Sequence, residues 1–288
     1  MKLLRLFTVL SIGIAPFLTP MAYADEENPY QIHQEMAISS AAGTPWNAPR
    51  HLEIVQKAKN LHSQFSKHLQ RKTYPMSEED LQQIYHEAQS DTIPFFTYSS
   101  MIDMEAGAVK AISPEAAATQ TPAIAFGIQR TFNREMAAAT VEGGWGALKR
   151  PNDLAILNVF EKENAVLNGV VFQLPFSDLL ILSKREVGYD LIPVAAMRWH
   201  DAIDGKKEPE IFIAYTFQAP NYNGEGVRYT NANINPIPGY FNFLQKGLNL
   251  LGDDFKAMWW ATTYLADQKT VVNELPYRII DLKAHQVQ

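Results

Sequence analysis

Apolar residues recur every three or four positions along residues 49–72, at Leu52, Val55, Ala58, Leu61, Phe65 and Leu69. That is the period of an amphipathic helix. A second helix is signalled by Ser77, an N-cap residue followed by the acids Glu78, Glu79 and Asp80 in a first turn. Leu81, Ile84, Tyr85 and Ala88 line its inner face. Together the two predict a helical hairpin laid over a main domain.

From residue 92 the period changes. Short apolar runs predict strands over 92–97, 123–133, 154–160, 169–174, 191–200 and 210–217. Residues 164–168 read as the turn between the third and fourth of these, and 201–209 as a hairpin-like loop. An Ala-rich stretch over 115–121 predicts a loop with a short helix. Gly143, Gly144 and Gly146 around Trp145 predict a mobile loop over 140–150, placed to act as a lid. Residues 221–235, rich in Asn, Gly and Tyr, read as irregular. Helices are predicted from 236 to about 251 and from 253 to about 266, with Gly252 as the C-cap between them. Residues 277–282 are a final strand or a loose end. Short, closely spaced strands with inserted helices favour an α+β barrel over a doubly wound sheet.

The stretch over 170–194 is the centre of this pattern. It reads as a buried strand, a short helix, Glu186 at the helix end, a turn at Val187-Gly188-Tyr189, and a second strand. An acid at a helix C-terminus faces the negative end of the helix dipole, which disfavours its ionised form.

The first residues carry a different signal. Lys2 and Arg5 precede an apolar run over 6–18, and Ala22-Tyr23-Ala24 forms a small-x-small cleavage site. Residues 1–24 are therefore expected to be a signal peptide, with a retained anchor as the alternative. No Cys follows, so a lipoprotein anchor is not supported, and no later segment is apolar enough to span a membrane. Cleavage removes Lys2 and Arg5 and no acid, taking the net charge from −6 to −8. An exported chain, periplasmic or secreted, with no nucleic-acid surface is the expectation. The absence of Cys excludes disulfides and thiolate metal sites. The domain division expected is signal peptide 1–24, lead-in and helical hairpin 25–91, and main domain 92–288.

Familiar catalytic motifs are missing. The seven His residues form no HExxH pattern, and no G-x-S-x-G, P-loop or G-x-G-x-x-G occurs. His200-Asp201 is an ordinary strand-end pair in this reading. Glu186 remains as an acid–base candidate, against the alternative of a helix-end acid paired with Arg185 or Lys184. A second candidate is the loop after the first strand, Tyr98-Ser99-Ser100-Met101, whose small residues let backbone amides approach a ligand.

The order of segments adds a resemblance. Tyr98-Ser99-Ser100-Met101 is followed by residues 127–133 (GIQRTFN), by Asn168-Gly169-Val170-Val171-Phe172, by Arg185-Glu186-Val187-Gly188-Tyr189, and by 236–240 (PIPGY) with Gly247 beyond. This series, over roughly residues 93–266, resembles the gamma-glutamylcyclotransferase-like superfamily. The resemblance implies a small mixed β-barrel with flanking helices, no metal or cofactor, and release of 5-oxoproline from a gamma-glutamyl amine or peptide. It puts the catalytic Glu on Glu186, the glutamyl-holding loop on Tyr98, Ser99, Ser100 and Met101, and a pocket Tyr on Tyr240. Arg130 becomes a structural or pocket-lining residue. Ser99 stands where the family usually has Gly. Its Cβ can narrow the pocket, demand a backbone angle that Gly adopts more easily, or add a hydrogen bond. A non-catalytic binding or interaction module on the same fold is the competing expectation.

Overall fold

The computed structural model describes residues 70–199, 210–221 and 229–272, and before them residues 56, 57, 60 and 61. Those four are helical, consistent with the first predicted helix, most of which lies outside the described residues. So do residues 1–55, the 201–209 loop and the 277–282 tail. The predicted helix end at 72 is corrected. Lys72 is extended and exchanges two 2.9 Å backbone bonds with Leu191. Pro75 lies just beyond and disfavours a helix running up to it.

The second helix is found as α1, Glu78–Ala88. The Ser77 hydroxyl accepts from the Asp80 amide at 3.1 Å, and the Asp80 carboxylate accepts from the Ser77 amide at 3.0 Å. This reciprocal cap satisfies two amides that the first turn cannot pair. Leu81, Ile84 and Tyr85 are buried, and the Tyr85 hydroxyl donates to the Leu174 carbonyl at 3.0 Å.

Five strands close into a mixed barrel. They are β1 (Thr92–Thr97), β2 (Thr121–Glu135), β3 (Ala155–Pro175), β4 (Asp190–Arg198) and β5 (Ile211–Gln218). The order β3-β1-β5-β4-β2 returns on itself because β2 also pairs with β3. Only β1 and β5 run parallel within the ring; β6 (Thr263–Tyr264) adds to β2 in parallel at Arg130 and Thr131. Helices α2 (Pro114–Ala117), α3 (Ala138–Trp145), α4 (Phe176–Arg185), α5 (Pro238–Leu250) and α6 (Asp253–Ala261) flank it. The α+β barrel with flanking helices expected from the sequence is the fold found. Among the described residues no helix is long and apolar enough to cross a membrane.

Three expectations are corrected. The strands predicted over 154–160 and 169–174 are one strand, β3. Its surplus residues form an irregularity against β2, where Phe126 faces Val166 but Ile128 faces Glu161. Gly127, with φ +75°, takes the other side of that step. A bulge bends a strand without ending it, which lets long strands wrap a barrel. The Gly-rich segment is helical up to Trp145, as α3, and irregular as expected only over 146–150. Its glycines disfavour a helix locally, but Val141 is buried and Trp145 packs against α5, so tertiary contact overrides propensity. Gly252, with φ +93°, sits at the N-cap of α6, while α5 ends at Leu250 with Leu251 as its C-cap; α6 stops at Ala261 because Thr263 and Tyr264 join β2.

Among the described residues the buried charged side chains are Asp103, Asp153, Asp178, Asp190 and one basic group, Arg130, fully buried on β2. Its Nε donates to the Thr263 hydroxyl at 2.7 Å and its Nη1 to the Asn168 carbonyl at 2.6 Å. Nη2 reaches Asn168 Oδ1, the Trp259 carbonyl and the Thr262 hydroxyl, each at 3.1 Å. The guanidinium lies 4.8 Å from the Trp259 ring centroid. Every partner is neutral, and burial holds the pKa of Arg130 well below its ordinary value. Arg130 joins β2, β3, α6 and β6, so its role is structural.

Candidate active site

A cavity of about 200 Å³ opens at one end of the barrel, where β1, β2 and β5 finish and β3 and β4 begin. Tyr98, Ser99, Ser100, Met101, Glu186 and Tyr240 all line it. Residues more than 140 positions apart in sequence therefore share one wall.

The loop after β1 tightens at once into a 3₁₀ turn over Ser100–Ile102. The Ile102 and Asp103 amides are used within it, donating to the Ser99 and Ser100 carbonyls at 3.0 and 3.3 Å. The amides of Ser99, Ser100 and Met101 come first in the turn and have no intrahelical acceptor. The turn is held from behind by α5. A Cβ on Gly247 would lie 2.7 Å from the Asp103 amide nitrogen, so only glycine permits this approach. From the side, the buried Tyr98 hydroxyl donates to the Phe217 carbonyl at 2.8 Å. Its phenol is thus engaged by protein, and burial pushes its pKa well up.

Ser99 has φ −129°. A negative φ is open to any residue, so no glycine-only angle is demanded. Its side chain instead interacts with the Tyr240 hydroxyl, which also meets the Leu157 backbone. Burial pushes the Tyr240 pKa far up, and these two contacts pull only part of the way back. Ser99 also lines the cavity, so its side chain takes up space there as well as meeting Tyr240.

Glu186 follows α4. That helix forms because Leu179 and Leu182 bury one face while Asp178 stands in the first turn and Lys184 and Arg185 in the last, both complementing the dipole. Asp178 accepts from the Ser113 amide and hydroxyl at 3.1 and 2.6 Å. The Glu186 amide donates to the Leu182 carbonyl at 2.8 Å, making Glu186 the C-cap. Its side chain keeps 29% of its surface accessible and lines the cavity. Burial raises its pKa, while Arg185 and Arg134 pull it back. Arg185 Nε lies 3.8 Å from Glu186 Oε1, with Arg185 half exposed. A pair so long and so wet adds little stability. Among the described residues no other carboxylate or imidazole lines the cavity.

Arg134 and Thr216 carry no sequence signal, and Trp145 reads from the sequence only as part of the Gly-rich loop. Arg134, near the end of β2, lies between the rings of Tyr189 (5.3 Å) and Tyr229 (4.6 Å) and donates to the Val187 carbonyl at 3.3 Å. Thr216 on β5 is fully buried on the cavity wall. Trp145 lines the cavity edge-on to Tyr240, with ring centroids 5.1 Å apart. The Gly-rich segment thus reaches the site as a helix. Strand register, which sequence alternation does not reveal, places Arg134 and Thr216. Among the described residues no group of three or more His, Cys, Asp or Glu could hold a metal ion. His200 and Asp201 lie outside the described residues.

No family model matches the chain, and no curated protein matches it. Solved structures similar to it include a gamma-glutamyl cyclotransferase, at 16% identity and TM-score 0.41, covering 67% of this chain and 99% of that one. Another is a gamma-glutamyl cyclotransferase specific to glutathione from yeast, at 15% identity and TM-score 0.41, covering 64% and 97%. A third is YkqA from Bacillus subtilis, at 17% identity and TM-score 0.39, covering 67% and 68%. At these identities the likeness concerns the fold and assigns no activity to this chain.

Proposed function

We propose that the cavity releases 5-oxoproline from a gamma-glutamyl amine or peptide, with Glu186 as general base and general acid. The observation that carries this reading is Glu186 itself, a carboxyl on the cavity wall whose pKa is raised by burial.

The chemistry suits those residues. The substrate's α-amino group attacks its own γ-carbonyl carbon, forming the ring C–N bond. The bond to the leaving amine then breaks. No protein nucleophile is required, and the reacting groups are already tethered. Ionised Glu186 takes the proton that the α-ammonium must lose, then returns it to the departing amine. One carboxyl does both best when its pKa lies nearer the working pH than an ordinary glutamate's. Burial supplies the upward shift, and Arg185 and Arg134 limit it. The free amides of the Ser99–Met101 turn are donors suited to the oxyanion and the glutamyl oxygens. The protein is further proposed to act after export, beginning at Asp25.

The test is to incubate the purified protein with a panel of gamma-glutamyl amines and peptides and assay 5-oxoproline. Release by wild type and none by Glu186→Gln, with unchanged circular dichroism, supports the reading. Wild-type rates in the Gln variant overturn it. Binding of 5-oxoproline without any turnover by wild type points to a binding module instead. Export is tested by N-terminal sequencing of the protein recovered outside the cytoplasm, and a chain still starting at Met1 overturns cleavage.

A further inference from the structure

Thr216 is a polar residue that the mechanism above does not use. It is 0% exposed, it lines the cavity, and its hydroxyl has no hydrogen-bond partner in the protein. The phenols beside it differ. Tyr98 is engaged by the Phe217 carbonyl, and Tyr240 by Ser99 and the Leu157 backbone. A buried hydroxyl left unpaired is a cost to folding. Valine would fill the same β-branched space on β5 without that cost, so a folding role does not explain the hydroxyl.

Its position in the fold suggests what does. In the barrel order β5 lies between β1 and β4. The glutamyl-holding loop follows β1, and the Glu186 turn leads into β4. The next residue, Phe217, touches both sides. Its carbonyl accepts from Tyr98, and its ring packs against Phe95 at 5.4 Å and Tyr189 at 6.4 Å. Thr216, one residue before Phe217 on β5, lines the same cavity as the loop and the Glu186 carboxyl.

We propose that the Thr216 hydroxyl is a substrate-recognition group, donating a hydrogen bond to a carboxylate or carbonyl oxygen of the glutamyl head. This rests on the reading of the cavity as a glutamyl site. Glu186 serves the head's α-ammonium and the turn amides serve part of its oxygens. Thr216 adds a directional donor in an otherwise largely aromatic wall, favouring ligands with an oxygen acceptor at that point.

The test compares wild type with Thr216→Val and Thr216→Ser, measuring the Kd for 5-oxoproline by calorimetry, kcat and KM for the best substrate of the panel, and Tm. Loss of one such bond predicts a rise in Kd and KM of about 10-fold or more for Val, with Ser within about threefold of wild type. The Tm of Val is expected to equal or exceed that of wild type, because an unpaired buried hydroxyl is removed. Unchanged Kd and KM in Val overturn the inference, as does a fall in Tm that Ser restores. If Val does not fold, Thr216→Ala carries the same comparison. Wild type that neither binds 5-oxoproline nor turns over any panel compound overturns the glutamyl reading and this inference together. Wild type that binds, beside Val that binds equally, overturns this inference alone.

Discussion

The Tyr98 hydroxyl donates to the Phe217 carbonyl across 2.8 Å, fastening the loop after β1 to the end of β5. Both residues are buried, so no water replaces the bond cheaply. Tyr98→Phe keeps the ring and strands the carbonyl, and is expected to cost about 1–3 kcal/mol in urea denaturation. KM should rise more than kcat falls, because the variant loosens the loop and leaves Glu186 in place. Stability equal to wild type would show that the bond does not matter.

The Ser99 side chain meets the Tyr240 hydroxyl. Ser99→Ala and Tyr240→Phe each remove the same contact, so their effects on kcat/KM should not add. A coupling of about 0.5–3 kcal/mol is expected in the double-mutant cycle. Strict additivity would separate the two residues. Ser99→Gly should fold, since no backbone angle at Ser99 depends on the side chain.

The pH dependence follows from burial of Glu186. Its carboxyl titrates above the ordinary 4.5 in the folded state and near that value when unfolded. Between the two, the native state binds more protons, so this group's contribution to stability falls as pH rises through that window. Glu186→Gln escapes the loss. Its Tm relative to wild type should be higher at pH 7 than at about pH 4, where the carboxyl is protonated in both states. In wild type the acid limb of kcat/KM should have an apparent pKa above 4.5. A limb at or below that value would rule out Glu186 as the base.

Arg130 is buried among neutral acceptors and makes five hydrogen bonds. Arg130→Ala leaves those acceptors stranded beside a void and is expected to cost about 3–5 kcal/mol, read by denaturant unfolding. Arg130→Lys should recover little, because a single ammonium cannot reproduce the planar fork or its stacking on Trp259. Near-wild-type stability in either variant would overturn the structural role.

The helix–acid–turn unit was legible because its signals are local. Leu179 and Leu182 set the phase of α4, its end charges match the dipole, and Gly188 supplies a turn at φ +80°. The capping residues of α1 are local in the same sense. The loop after β1 was legible for a similar reason, as a strand running into small hydroxyl residues. Misreadings came where a distant partner overruled the neighbours. The segment 164–168, bounded by Asn164 and Asn168, resembles a turn, yet pairing with β2 across the Gly127 step keeps β3 continuous. Glycines 143 and 144 resemble a loop, yet Trp145 against Tyr240 and Phe243 anchors a helix.

By itself, the sequence determined the elements whose period and caps are written in adjacent residues, and it singled out Glu186 and the Tyr98–Met101 loop. Only the tertiary structure decided that these meet. Closure of β2 onto β3 and the parallel contact of β1 with β5 bring one end of every barrel strand around a single cavity. The same closure draws the Glu186 carboxyl into the cavity wall, where partial burial raises its pKa, brings Ser99 to Tyr240, and puts Thr216 in the same lining. Alternation along a strand says which face a residue takes. Which strand lies beside it depends on the whole chain, and burial and electrostatics follow from that neighbour.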